Sequence, residues 1–232
     1  MLRQFLYLLL FFSTSCAIYS PHVAPPVLVE DAGDTQIDIG LTGPVALGLQ
    51  TNFAVAATDN LSLQLAARFY AKENFMLDGS IGRSKNIGKR SRLGLFAGAS
   101  GGSGKNKYSI LYDDFEINGT SRLYYLRPQW TIHTKKVDFV LSSKFGKINQ
   151  DFYYYRKETG ADGDWVEYVI DEDRELSALF IEPSISIIFK NKTGRLALTS
   201  SYIINNGTNQ QQGGISPFNT GLSFQYFKKR QK

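Results

Sequence analysis

Hydrolysis or acyl transfer needs a base beside a nucleophile, and this chain is short of bases. It has two histidines, His22 and His133. A general base works best with a pKa near the working pH, which is why histidine is the usual choice. His22 lies among Pro21, Pro25 and Pro26, in a stretch without period. His133 ends an alternating segment beside Thr134, Lys135 and Lys136. No Gly-x-Ser-x-Gly elbow, paired metal-ligand motif or phosphate-binding loop occurs; residues 98–104 are glycine-rich without being a P-loop. Asp162-Gly163-Asp164 and Asp171-Glu172-Asp173 lack the spacing of an EF-hand. The expectation is a protein that is not an enzyme and takes no cofactor or metal.

A second set of residues is charged and falls on alternate positions: Arg68, Asp78, Arg92, Arg127, Asp138, Lys144 and Glu182. Both signs occur. Charges inside a protein need partners. Pairing of Arg68, Arg92, Arg127 and Lys144 with Asp78, Asp138 and Glu182 would plug a narrow barrel, which side chains usually fill. The alternative is a charged conduction path.

The elements that must hold these residues are strands. In residues 45–57, Val45, Leu47, Leu49, Phe53, Val55 and Ala57 alternate with small or polar residues, Thr51 excepted. Period two means strand, and a dozen residues is long enough to cross a bilayer at a tilt. Ten strands are predicted: 35–42, 45–57, 61–72, 74–84, 90–102, 120–134, 136–153, 176–190, 194–206 and 216–228. Only Glu73 parts the third from the fourth, and eight strands is the fallback. No substantial helix is expected in the mature chain. Tyr and Phe number 13 and 16, with 21 Gly, a mix that suits strands, turns and interfacial aromatic belts.

The connections alternate between tight turns near 58–60, 86–89, 134–136 and 191–194 and longer segments at 103–119, 154–175 and 207–215. An all-β, antiparallel transmembrane barrel has this rhythm, with short periplasmic turns and longer external loops. Both barrel termini then fall on the periplasmic side. One face would meet lipid through residues such as Ile37, Ile39, Leu65, Leu95, Leu126, Trp130, Leu141, Ile185, Leu198 and Phe224. The other would line the lumen, adding Gln50, Asn52, Gln64, Gln129, Ser184, Arg195, Asn219 and Gln225 to the charged set. A soluble, lipocalin-like barrel would reverse the faces; strand length and the N-terminal signal favour the membrane form. Pro128 and Pro183 fall inside strands and predict bulges or broken pairing.

Ahead of the barrel, Arg3 and the apolar run 5–12 predict a signal peptide over 1–15, too short to span a membrane. Cys16 is the sole cysteine, so no internal disulfide can form. It follows Ser13-Thr14-Ser15 and resembles the lipidated residue of a bacterial lipobox, with Ser13 where Leu or Val is usual. Ordinary cleavage after Ala17 is the alternative. Residues 16–33 are predicted as a lipidated tether, 34–228 as the barrel and 229–232 as a basic tail.

Formal charge is +5. The cations are dispersed in an exported chain, which argues against nucleic acid. Lys85, Lys89, Arg90, Lys135, Lys136, Lys190 and Lys192 collect on the short-turn side with the tail Lys228, Lys229, Arg230 and Lys232; solvated strand ends are the expectation, and contact with anionic lipid head groups is the functional alternative. Residues 156–175 carry eight acids against three bases. Tyr153, Tyr154, Tyr155 and Trp165 in or beside that predicted loop are candidates for a partner-binding surface; aromatic-belt anchoring explains the tyrosines equally well.

The runs 34–39 and 53–64, the stretches 78–82 and 92–98, and Ile181-Glu182-Pro183 resemble small outer-membrane barrel lipoproteins of the Bacteroidota. The resemblance implies a barrel in the bacterial outer membrane and no defined activity. The chain departs from it at the lipobox and in the basic tail after Phe227. Small barrels that are lipases, acyltransferases or proteases would imply a histidine near Ser, Asp or Glu in the outer half, and neither histidine is so placed. The expected role is a non-enzymatic accessory or partner-binding subunit of an outer-membrane complex, contacting outer-membrane lipid and other envelope or surface proteins. A small pore or transporter with a charged lumen is the alternative, and a lipid-modifying enzyme the third.

Overall fold

The computed structural model describes residues 26–43, 48–70, 74–110, 113–158, 168–191, 194–206 and 218–229, with side chains omitted at 106–115, 156–171 and 218. The predicted signal peptide, Cys16, Trp165 and tail residues 230–232 lie outside the described residues.

Eleven strand segments form one antiparallel sheet: β1 (Thr35–Gly43), β2 (Gly48–Ala56), β3 (Leu61–Tyr70), β4 (Asn74–Asn86), β5 (Ser91–Ile110), β6 (Asp113–His133), β7 (Val137–Glu158), β8 (Tyr168–Lys190), β9 (Arg195–Tyr202), β10 (Ile204–Asn205) and β11 (Phe218–Lys228). β9 and β10 are two pieces of one strand, so the barrel has ten strands. β11 closes it by pairing with both β9 and β1, as where Ile39 faces Phe224. Closure leaves no free edge at the level of β1 to β3, whereas β5 beyond Ser103 and β8 before Phe180 pair on one side only among the described residues. β3 and β4 are separate strands, which settles ten against eight. No helix occurs among the described residues.

Pro128 and Pro183 break pairing without bulging the strand. The β6–β7 ladder stops after Leu126↔Phe145 and resumes at Gln129↔Ser142 in the same register. The β8 ladder stops at Ser184↔Ser201 and resumes at Ile181↔Ile204, again unshifted. Proline lacks the donor that each gap needs.

The alternating side chains divide as predicted. Ile37, Leu65, Leu95, Leu126, Leu141, Ile185 and Phe224 face outward and are exposed, whereas Gln50, Gln64, Arg68, Asp138 and Gln225 are buried inside. This is the reverse of a soluble barrel. Lipid is the medium that such an exterior fits, since the closed sheet satisfies its own backbone.

Two expectations need correction. The described residues of 103–119 and 154–175 are strand. β5 and β6 pair out to Ile110↔Asp113, and β7 and β8 out to Glu158↔Tyr168. Tyr153, Tyr154 and Tyr155 therefore sit within β7, not in a loop. Tyr154 points inward, is buried, and stacks under the Arg174 guanidinium at 4.8 Å. The alternation that marks a strand in lipid fades where the outer face meets water.

The second correction concerns the end of the predicted tether. Residues 26–30 run inside the barrel at its short-turn end. Val27 and Val29 pack against Ala54, Ala56 and Phe96, and Leu28 against Val140, Ile188 and Ala197. Gly33, with φ of 87°, lets the chain reverse from the lumen into β1. The reversal is tied by Gly33 N–H to Ala56 O at 2.8 Å and Asp34 N–H to Asp31 O at 2.9 Å.

Candidate functional site

The lumen collects the charged residues, and it does so in three layers. At mid-height Lys144 from β7 reaches Asp78 of β4 at 3.4 Å and Glu182 of β8 at 3.9 Å. Its ammonium also lies 4.7 Å from the Tyr125 ring. Asp78 accepts from Ser100 Oγ at 2.5 Å and from Tyr125 Oη at 2.6 Å. Gly98 makes the last contact feasible: a Cβ there would stand 2.5 Å from the Tyr125 ring. Such multiple partners are what a buried ion pair needs to offset lost hydration.

Below this layer runs a rung of amides. Arg127 donates to Gln64 Oε1 at 2.6 Å, Gln64 to Asn52 at 2.7 Å, and Asn52 to Asp38 at 2.5 Å. Gln36 donates to Asp38 at 2.9 Å and to Pro26 O at 3.0 Å. It accepts from Leu28 N–H at 2.9 Å, while Gln129 donates to Val27 O at 2.9 Å. The wall thus holds the inserted segment by its backbone, which would otherwise be buried without partners. Arg127 also covers the Phe96 ring at 4.8 Å.

At the short-turn mouth Asp138 is fully buried between Lys190 at 2.5 Å, His133 at 3.1 Å and Arg195 at 3.6 Å. Glu30, from the inserted segment, lies 3.9 Å from Arg92 and 3.8 Å from His133 Nε2. Arg92 also donates to Ser84 Oγ at 2.5 Å.

The pairing of Lys144 with Asp78 and Glu182 follows the expectation. Asp138 takes His133, Lys190 and Arg195, which the expectation did not assign to it. Arg92 pairs with Glu30, Arg127 with an amide, and Arg68 contacts Met76 Sδ at 3.4 Å and the Tyr70 ring at 4.9 Å. Asp38, Gln36, Tyr125 and Glu30 were missed. Asp38 had a signal, since it stands between Ile37 and Ile39 on the lumen side of the alternation. Glu30 had none, because its stretch carries no period.

Chemically the arrangement is a set of ion pairs and hydrogen bonds that link strands across the lumen. Both His133 ring nitrogens face carboxylates, Nδ1 towards Asp138 and Nε2 towards Glu30. No group of three or more His, Cys, Asp or Glu residues is placed to hold a metal among the described residues.

Neither a protein-family model nor a curated protein matches the sequence. Solved structures match in fold. The outer membrane protease OmpT from Escherichia coli has a TM-score of 0.51 over 84% of this chain and 92% of that one, at 7% identity. The translocator domain of the autotransporter NalP from Neisseria meningitidis has a TM-score of 0.36 over 85% and 87%, at 10% identity. The CymD monoaromatic hydrocarbon channel has 0.32 over 85% and 69%, at 11% identity. At 7% identity the likeness to the protease is one of fold. The chain has the closed antiparallel barrel of outer-membrane proteins.

Proposed function

We propose that the protein is a non-enzymatic outer-membrane barrel that engages a partner protein through one raised side of its wall. The observation that carries this is the inequality of the strands. β1, β2 and β3 have 9, 9 and 10 residues, the length that crosses a bilayer. β5 to β8 have 20, 21, 22 and 23 residues. The surplus projects roughly 30 Å at about 3.3 Å per residue. It stands at the long-loop end, the external end of outer-membrane barrels. In this reading residues 1–15 direct export, Cys16 carries the lipid, and both barrel termini are periplasmic. The packed lumen and its inserted segment favour a closed barrel over a pore.

Trimming the wall tests the proposal. Gly104 faces Gly119, and Asp151 faces Glu175, so two-residue Asn-Gly turns can replace 105–118 and 152–174. The expected product keeps the heat-modifiable migration of a folded barrel and loses a partner that cross-links to the intact protein. An unchanged cross-linking pattern would contradict the proposal. Planar-bilayer recording tests the pore: steady conductance altered by Arg127→Ala or Glu182→Ala would favour that reading instead.

A further inference from the structure

The outer wall carries a groove of about 870 Å³ over β4 to β7, in the half nearer the short turns. A smooth barrel exterior has no reason for such a hollow. Here Pro128 withholds its donor from β7, and the facing outward residue on β7 is the small Ser143. Leu95, Trp130 and Phe145 stand around this low place as walls. The Ser143 hydroxyl is shielded from water and has no hydrogen-bond partner. In a lipid-facing wall an unsatisfied polar group is costly.

The groove has a charged end. Arg83 and Lys85 point outward from β4, are exposed, and make no ion pair among the described residues. They lie next to the end of β4 at Asn86, so they are nearer the short-turn rim than Ser143 and Phe145 are to theirs. Cations on the β4 side of the groove and apolar walls on β5 to β7 match the two chemistries of an anionic glycerophospholipid, phosphate and acyl chain.

We infer that this groove is a binding site for one anionic glycerophospholipid. Arg83 and Lys85 hold its phosphate, and an acyl chain lies over Ser143 against Leu95, Trp130 and Phe145. The inference rests on the barrel standing in a bilayer, as proposed above.

The chain has two tryptophans, Trp130 and Trp165. A Trp165→Phe variant leaves Trp130 as a reporter inside the groove. In phosphatidylcholine vesicles, bromine-labelled phosphatidylglycerol should quench Trp130 at lower mole fraction than bromine-labelled phosphatidylcholine. The expected preference is roughly fivefold for each cation engaged. Arg83→Gln with Lys85→Gln should abolish the preference, and Ser143→Leu, which fills the floor without touching the cations, should weaken it. Heat-modifiable migration confirms that each variant is folded. Equal quenching by the two lipids, or a preference that survives both changes, overturns the site while leaving the barrel in the membrane. No quenching by either lipid overturns the membrane reading along with it.

Discussion

Strands β6, β7 and β8 run through two environments and wear opposite faces in them. Below the row of Tyr124, Lys147 and Leu179 the outer face is largely apolar, as at Leu126, Trp130, Leu141 and Ile185, and the inner face holds Arg127, Lys144, Glu182 and Asp138. Beyond that level the exposed outward residues are Arg122, Thr120 and Asn118 on β6, Asp151 on β7, and Ser177 and Glu175 on β8. The inner face there carries Leu123, Ile148, Ile117, Phe152 and Tyr154, with Ser121 and Gln150 buried among them. One continuous sheet is inside-out in its lower half and ordinary in its upper half. The backbone is indifferent to the change; the surrounding medium decides which face carries the oil.

The two halves should therefore break differently. The largest effect is expected in the lower lumen. Lys144→Met strands Asp78 and Glu182 without their shared cation and should cost about 3–5 kcal/mol, read from urea titration in detergent micelles. Adding Asp78→Asn and Glu182→Gln to that variant should recover most of the loss. Next, Leu126→Arg puts a charge on the lower outer face and should cost about 2–4 kcal/mol. Asn118→Arg, on the same face of the same strand above Tyr124, should change stability by no more than about 0.5 kcal/mol. Equal costs at 118 and 126 would erase the boundary between the halves.

A smaller and more local effect is expected above. Ile117→Ala removes a fully buried side chain of the upper core, at a cost of about 2 kcal/mol. Because the wall projects from a barrel closed below it, that loss should appear as faster proteolysis of the wall while the barrel stays intact. The smallest effect should be a gain. Pro128→Ala restores a donor in the β6–β7 gap and should stabilise the barrel by about 1 kcal/mol, seen as a higher urea midpoint.

The same contrast explains what the sequence made legible. Where lipid surrounds the strand, alternation is strong, and Ile37-Asp38-Ile39 or Leu63-Gln64-Leu65 declare both faces at once. The ten strands, the turn positions and the inward placement of Arg68, Asp78, Arg127, Lys144 and Glu182 all follow from it. Above the boundary the outer residues are polar and several inner ones small, as in Gly102 and Gly104, so 103–119 carries the look of a loop. Residues 26–30 were illegible for another reason. They are held by Gln36 and Gln129 across the lumen, and no local pattern announces a segment whose partners lie 10 and 102 residues away. Likewise Asp138 found Lys190 and Arg195 because the ladders set β8 beside β7 and β9 beside β8, a proximity that pairwise charge matching cannot supply.

The central claim is that lipid meets the outer face of β6 only below Tyr124. Single cysteines at the outward positions 118, 120, 122, 126 and 130, in a Cys16→Ser background, can be challenged with a water-soluble maleimide after reconstitution into sealed vesicles. The account predicts rapid labelling at 118, 120 and 122 in protein whose long-strand end faces outward, and protection at 126 and 130 that detergent unfolding relieves. Uniform labelling along the strand, or protection at 118 and 120 with reaction at 126, would contradict it.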